Sequence, residues 1–172
     1  MSRRIKAAHK YAQGKQLEAE LRWYHVGLES VPGAPKMGRL HAAATLGKAD
    51  SDFAGHVGGR RVLVEAKEVT SSARFRLDAI EPHQVKALRD CHQGGGVAVL
   101  VVRVGGITWA MGYPALEGAI VRAAVGAGAP GTASLAVADL DRVGARLVGV
   151  AWWGVELPGW SEPQVGLFGG GA

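Results

Sequence analysis

Gly47-Lys48-Ala49-Asp50-Ser51-Asp52-Phe53-Ala54-Gly55 is followed, after Gly58-Gly59, by Arg60-Arg61-Val62-Leu63-Val64-Glu65-Ala66-Lys67. Alternate side chains of a strand share a face, so Glu65 and Lys67 project together while Val62, Val64 and Ala66 line the other side. Val62-Leu63-Val64 is an apolar, strand-forming run, and a Glu and a Lys at its end do not enter an interior without partners. Gly58-Gly59 is a two-residue hairpin signal that folds residues 52–57 back in antiparallel pairing. That pairing brings Asp52 beside Glu65.

Two carboxylates held together, with a backbone carbonyl and water, make an all-oxygen site suited to Mg²⁺ or Mn²⁺; a neighbouring ammonium steadies a nucleophilic water or charge developing on phosphorus. The chemistry implied is metal-dependent cleavage of a phosphodiester. A plainer reading competes with it, in which Glu65 and Lys67 form a same-face surface ion pair and Asp52 belongs to an ordinary turn. Glu-x-Lys alone favours that reading, and Asp52 with its turn tips the balance towards a site.

Outward from this stretch the chain reads as one αβββαβ core with additions. Residues 11–27 read as an amphipathic helix with Leu17, Leu21 and Tyr24 at core spacing. Glu18 lies beside them, and on spacing alone it is a surface residue paired with Arg22 one turn on. Punctuation by Val31-Pro32-Gly33-Ala34-Pro35 marks a loop, and residues 37–46 read as a strand feeding the site. Residues 82–92 read as a second helix with Pro82 in its first turn. Gly94-Gly95-Gly96 ends it, residues 97–104 form an apolar strand buried on both faces, and Gly105-Gly106 turns into a strand over 107–111. Beyond Tyr113, residues 114–127 read as a helix, 126–131 as a loop, 146–153 as an edge strand or apolar cap, and 169–172 as a frayed tail. Trp152, Trp153 and Trp160 are better placed in a core or dimer contact than stacked on bases.

Ser51-Asp52-Phe53-Ala54-Gly55, Val64-Glu65-Ala66-Lys67-Glu68, Phe75-Arg76-Leu77, Pro82-His83-Gln84-Val85 and the strand from Gly94 to Arg103 resemble, in order and spacing, successive blocks of the RecU-type Holliday junction resolvases, members of the PD-(D/E)xK nuclease superfamily. The resemblance spans residues 14–113. It implies a restriction-endonuclease-like α/β fold with a mixed central sheet flanked by helices. It implies that Asp52, Glu65 and the Ala66 carbonyl are ligands of one or two Mg²⁺ or Mn²⁺ ions, that Lys67 is the catalytic lysine, that Glu18 is the acidic residue from the first helix, and that Gln84 reaches the site from the second. It further implies cleavage of four-way DNA junctions by paired symmetric nicks leaving 5′-phosphates, from a homodimer. Ser51 stands where the superfamily pattern has proline, a position that supplies no ligand. Two alternatives remain open: another endonuclease of the repair or restriction type, and a non-catalytic DNA-binding protein. Retention of Asp52, Glu65 and Lys67 together argues against the second.

At 172 residues and 17.9 kDa the chain reads as a single nuclease domain, with a core over 11–113 and a C-terminal addition over 114–168. A net charge of +5 favours a polyanionic partner. Arg60, Arg61, Arg74, Arg76, Lys86 and Arg89 flank the motif as candidate phosphate contacts, with Lys36, Arg39 and Lys48 along a basic approach. Cys91, the single cysteine, excludes an internal disulfide and suits a reducing cytoplasm. No apolar run reaches membrane-span length, and no partnership with a membrane is expected. His83, near a helix start, and His56, before the turn and exposed, stay outside the catalytic set.

Overall fold

Gly58 and Gly59 adopt φ of 54° and 76°, the pair of positive values that a tight type I′ hairpin requires and that glycine takes without strain. The turn joins β2 (Phe53–Val57) to β3 (Arg60–Val69), with Phe53 opposite Val64 and Val57 opposite Arg60. β1 (Lys36–Arg39) pairs antiparallel on the outer edge of β2. There a Cβ on Gly55 would lie 2.0 Å from the Lys36 carbonyl oxygen, so the close approach of these two strands admits only glycine.

The computed structural model describes residues 3–39, 51–70, 73–126 and 133–158. After β3 come β4 (Arg74–Arg76), a 3₁₀ turn (Leu77–Ala79), α2 (Pro82–Gln93), β5 (Val97–Val104), β6 (Ile107–Gly112), α3 (Tyr113–Gly126), β7 (Ser134–Ala136), α4 (Val137–Val143) and β8 (Ala145–Arg146); α1 (Arg3–Leu28) precedes them all. The main sheet runs β1-β2-β3-β5-β6-β8. β3 and β5 are parallel, Val62 beside Val97 through Val69 beside Val104, and the other neighbours are antiparallel. The expected αβββαβ order and mixed α/β sheet are therefore present, with α2 as the crossover between the parallel strands.

The period-2 alternation of β3 sorts the two faces. Leu63 joins the cluster that β5 and β6 form with α2, α3 and α4, including Leu88, Leu100, Trp109 and Leu116. Val62, Val64 and Ala66 join the opposite cluster with Leu17 and Leu21 of α1, Phe53, Trp152 and Leu157. Leu17 and Leu21 are fully buried, a burial that contributes roughly 1.5–3 kcal/mol for each such side chain. β5 is buried along its whole length, as its apolar composition predicts.

Several expectations needed correction. α1 begins at Arg3 rather than residue 11, because Ala7, Ala8 and the flanking Lys and Arg are good helix formers with no breaker among them. The small sheet of β4 with β7, and α4 after it, were not anticipated: these elements are three to seven residues long and too short to show a period. The proposed cap over 146–153 is regular only at β8; beyond it Leu147 and Trp152 are buried against the α1 face. Residues 40–46 of the expected strand, Lys48, most of the expected loop at 126–131, Trp160 and the tail at 169–172 lie outside the described residues. Among the described residues no helix is long and apolar enough to cross a membrane.

Candidate active site

The loop entering β2 is pinned onto β3 by two side chains. The Ser51 hydroxyl donates to the Val64 carbonyl at 2.8 Å, and the Ala66 N–H donates to Asp52 Oδ2 at 2.8 Å. Ser51, where the superfamily pattern carries proline, thus uses a hydroxyl to fix the loop. An extended residue directs its N–H and C=O to the same side of the strand. Ala66 therefore turns its carbonyl to the edge that Asp52 occupies, past the point where β2 begins.

On the α2 face of β3, Glu65 is fully buried and Lys67 is one-fifth exposed, with Lys67 Nζ 2.8 Å from Glu65 Oε1. The shared face expected from alternation is the observed one. Gln84, in the first turn of α2, donates from Nε2 to the same Glu65 oxygen at 2.6 Å, and its Oε1 accepts the Glu81 N–H at 3.0 Å. Both ends of the amide are used, so Gln84 caps the helix and orients Glu65 at once. Glu65 Oε2 is buried and has no hydrogen-bond partner. Burial, with the Asp52 charge beside it, pushes the Glu65 carboxyl up to about 7 against the pull of Lys67.

An unpartnered buried carboxylate oxygen is costly. With a second carboxylate beside it and the Ala66 carbonyl on the strand edge that Asp52 occupies, the arrangement presents the hard-oxygen donors that Mg²⁺ or Mn²⁺ selects. The donor set therefore fits a divalent ion. Glu18 is half-buried on α1, packed against the face opposite Glu65. Among the described residues no three His, Cys, Asp or Glu side chains gather as a ligand group, so Glu18 does not join the Asp52–Glu65 pair directly.

The candidate phosphate contacts come from several elements, with Arg39 of β1 in register with Phe53, the residue after Asp52. Arg60 and Arg61 lie at the hairpin end of β3, and Arg61 is four residues from Glu65, about 13 Å along an extended strand. Arg60 Nε donates to the Gly95 carbonyl at 2.6 Å. Arg74 donates to Ser134 Oγ at 2.8 Å, and Arg76 pairs with Asp78 at 2.9 Å. Lys86 is 2.5 Å from Asp90, while Arg89 donates to the Tyr113 hydroxyl at 2.9 Å. Lys36 donates to the Glu29 carbonyl, and Arg39 ends β1. His56 is exposed, as expected, and His83 lies 3.4 Å from Glu81.

A second polar cluster has no counterpart in the sequence reading. Arg103, at the end of β5 and on the α1 face, pairs both guanidinium nitrogens with the Glu20 carboxylate, reaches Glu68 at 3.6 Å and donates from Nε to Thr108 at 3.1 Å. With Gln16, Val69, Thr70, Gly105 and Gly106, the three charged residues line a cavity of about 480 Å³. Arginine in an otherwise apolar strand was the available signal. Its partner Glu20 stands 83 residues away, which no local pattern reveals. His25 was also missed. It is buried and accepts from Trp152 Nε1 at 3.0 Å, so Trp152 is a core residue, as the sequence favours.

A strand-borne Glu-x-Lys, an aspartate docked beside it from the preceding hairpin arm, and a glutamine from the crossover helix form the arrangement expected of a nuclease site of the Asp…Glu-x-Lys class. Residues 29–110 match the family model described as RecU, Recombination protein U, a stretch holding Asp52, Glu65, Lys67 and Gln84 but neither α1 nor the C-terminal cap. Over that segment, a little under half of the chain, the sequence is similar to the RecU family, a likeness that indicates a Holliday junction resolvase, a nuclease. No curated protein sequence is similar enough to stand as a relative. Among solved structures, the Holliday junction resolvase Hjc of Archaeoglobus fulgidus is similar at a TM-score of 0.49 and 13% identity, over 74% of this chain and 93% of that one.

Proposed function

We propose that the chain cuts four-way DNA junctions by metal-dependent hydrolysis, placing paired symmetric nicks that leave 5′-phosphates and 3′-hydroxyls. The observation that carries this reading is the unpartnered Oε2 of buried Glu65 beside the Asp52 carboxylate, with Lys67 at hand. Asp52, Glu65 and the Ala66 carbonyl are the groups that would hold one or two Mg²⁺ or Mn²⁺ ions, and Glu18 contributes from α1 through water or a second ion. Such an ion, when bound, supplies Lewis-acid stabilisation of charge on the scissile phosphate.

The chain's own groups do the rest. Lys67 orients the attacking water and offsets negative charge as the P–O3′ bond breaks. Gln84 holds the Glu65 carboxylate in one orientation. Arg60, Arg61, Arg74, Arg76, Lys86 and Arg89, with Lys36, Arg39 and Lys48, supply dispersed phosphate contacts along the DNA arms. A two-fold dimer presents two such sites to the equivalent strands of a junction, which accounts for symmetric nicking.

The test is cleavage of a four-way junction and a matched linear duplex in Mg²⁺, Mn²⁺ or EDTA, with the nicks and their termini mapped. Paired nicks in the junction that vanish in EDTA are expected. Equal cutting of the duplex would move the reading to a repair or restriction type of endonuclease, and cutting in EDTA would remove the metal.

A further inference from the structure

The Arg103 cluster is larger than a surface ion pair and is not part of the site. Arg103 is 9% exposed, and it spans two elements that each carry a proposed catalytic residue. Glu20 is two positions after Glu18 on α1, and Glu68 directly follows Lys67 on β3. The Glu68 side chain is 7% exposed and its Oε2 has no hydrogen-bond partner, so the guanidinium is its principal compensation.

Helix geometry shows what the clamp controls. Successive residues turn by about 100°, so around the seam of Leu17 and Leu21 the side chains of Glu18 and Glu20 fall about 80° to either side. That seam rests on Val62, Val64 and Ala66 of β3. Arg103 is on β5, which flanks β3 on one side; β2, into which Asp52 leads, flanks it on the other. The Glu20 flank is tied to β5, and the Glu18 flank is thereby turned towards β2. Apolar contacts at the seam resist separation of helix and sheet but oppose rolling weakly, because they have little directionality. A two-pronged guanidinium–carboxylate pair has strong directionality.

We infer that Arg103 is a positioning residue: seated between Glu20 and Glu68, it fixes the roll of α1 over β3 and so sets Glu18 on the side of the helix that serves the Asp52–Glu65 pair. The inference rests on the metal-site reading above. Its effect passes through Glu18, which separates it from a general contribution to folding.

The test uses Mn²⁺ affinity, followed by the electron paramagnetic resonance signal of free Mn²⁺, with cleavage kinetics on the four-way junction alongside. Glu20→Gln and Arg103→Lys each should weaken Mn²⁺ binding and lower kcat about tenfold, the usual range for a group that orients a ligand, with KM and the melting temperature little changed. Glu18→Gln combined with Glu20→Gln should be no worse than Glu18→Gln alone, since coupled positions are non-additive. If the two losses multiply, or if Glu20→Gln and Arg103→Lys bind Mn²⁺ as the wild type does, the positioning role is overturned while the metal site stands. Failure of the wild type to bind Mn²⁺ overturns both.

Discussion

Glu65 and Glu68 are three residues apart on β3, on opposite faces of one sheet, and each has a buried oxygen without a protein partner. Glu68 faces a buried guanidinium that also holds Glu20. Glu65 has an ammonium that is partly solvated, an amide, and a second carboxylate close by, and burial pushes its carboxyl up to about 7. The contrast separates two uses of a buried charge. At Glu68 the cation is built into the chain; at Glu65 the compensation within the chain is incomplete, and the proposed divalent ion would complete it.

The largest effect expected from this contrast is catalytic. Asp52→Asn or Lys67→Ala should lower the single-turnover cleavage rate by about 100-fold or more, the scale of losing one electrostatic group at a reacting centre. Junction binding by gel shift should persist. A variant cutting at the wild-type rate would remove the residue from the mechanism.

Stability should then move in opposite directions on the two faces. Arg103→Ala leaves Glu68 buried without its cation and should cost about 3–5 kcal/mol in denaturant unfolding. Glu65→Gln should stabilise the metal-free protein at pH 8 by on the order of 1–2 kcal/mol. The sign follows from linkage. The folded carboxyl titrates at about 7 against 4.5 unfolded, so the folded state binds the proton more tightly, and the stability associated with it is lost as pH rises through 7. Destabilisation by Glu65→Gln at pH 8 would show the carboxylate to be fully compensated within the chain.

A third effect concerns the cap over α1. Burial holds the His25 imidazole down to about 4, against 6.5 in the unfolded chain. Between those values the unfolded state takes up a proton that the folded state refuses, so stability falls as pH drops from 6.5 towards 4. The full loss is on the order of 3 kcal/mol. Melting temperature against pH for the wild type and His25→Gln checks it: the slope in this window should flatten in the variant.

The smallest effect belongs to the scattered basic residues. Replacing Arg60 and Arg61 with Gln should weaken binding to all DNA sequences alike and lower the log–log salt slope by about 2, one unit for each phosphate that is no longer neutralised. An unchanged slope would place DNA elsewhere on the surface.

The strand that carries the candidate site was legible because its logic is local. Gly58-Gly59 specifies the hairpin, alternation puts Glu65 with Lys67, and Pro82 opens α2 with Gln84 in its first turn. The second polar cluster was not legible, because Arg103 looks like one charge in an apolar strand until the fold brings Glu20 across to it. His25 with Trp152 is likewise a pairing across 127 residues, invisible to any window. β4, β7 and α4 are too short for periodicity and take their form from what they pack against. Composition was consistent with a DNA-binding chain, yet it could not say which elements would carry the basic residues.

Completion of the Asp52–Glu65 pair by a divalent ion is tested most directly by anomalous diffraction from crystals soaked in Mn²⁺. A peak is expected within bonding distance of Glu65 Oε2, the Asp52 carboxylate and the Ala66 carbonyl oxygen. A map with no peak there, at a Mn²⁺ concentration that supports junction cleavage, would contradict the metal site and the mechanism built on it.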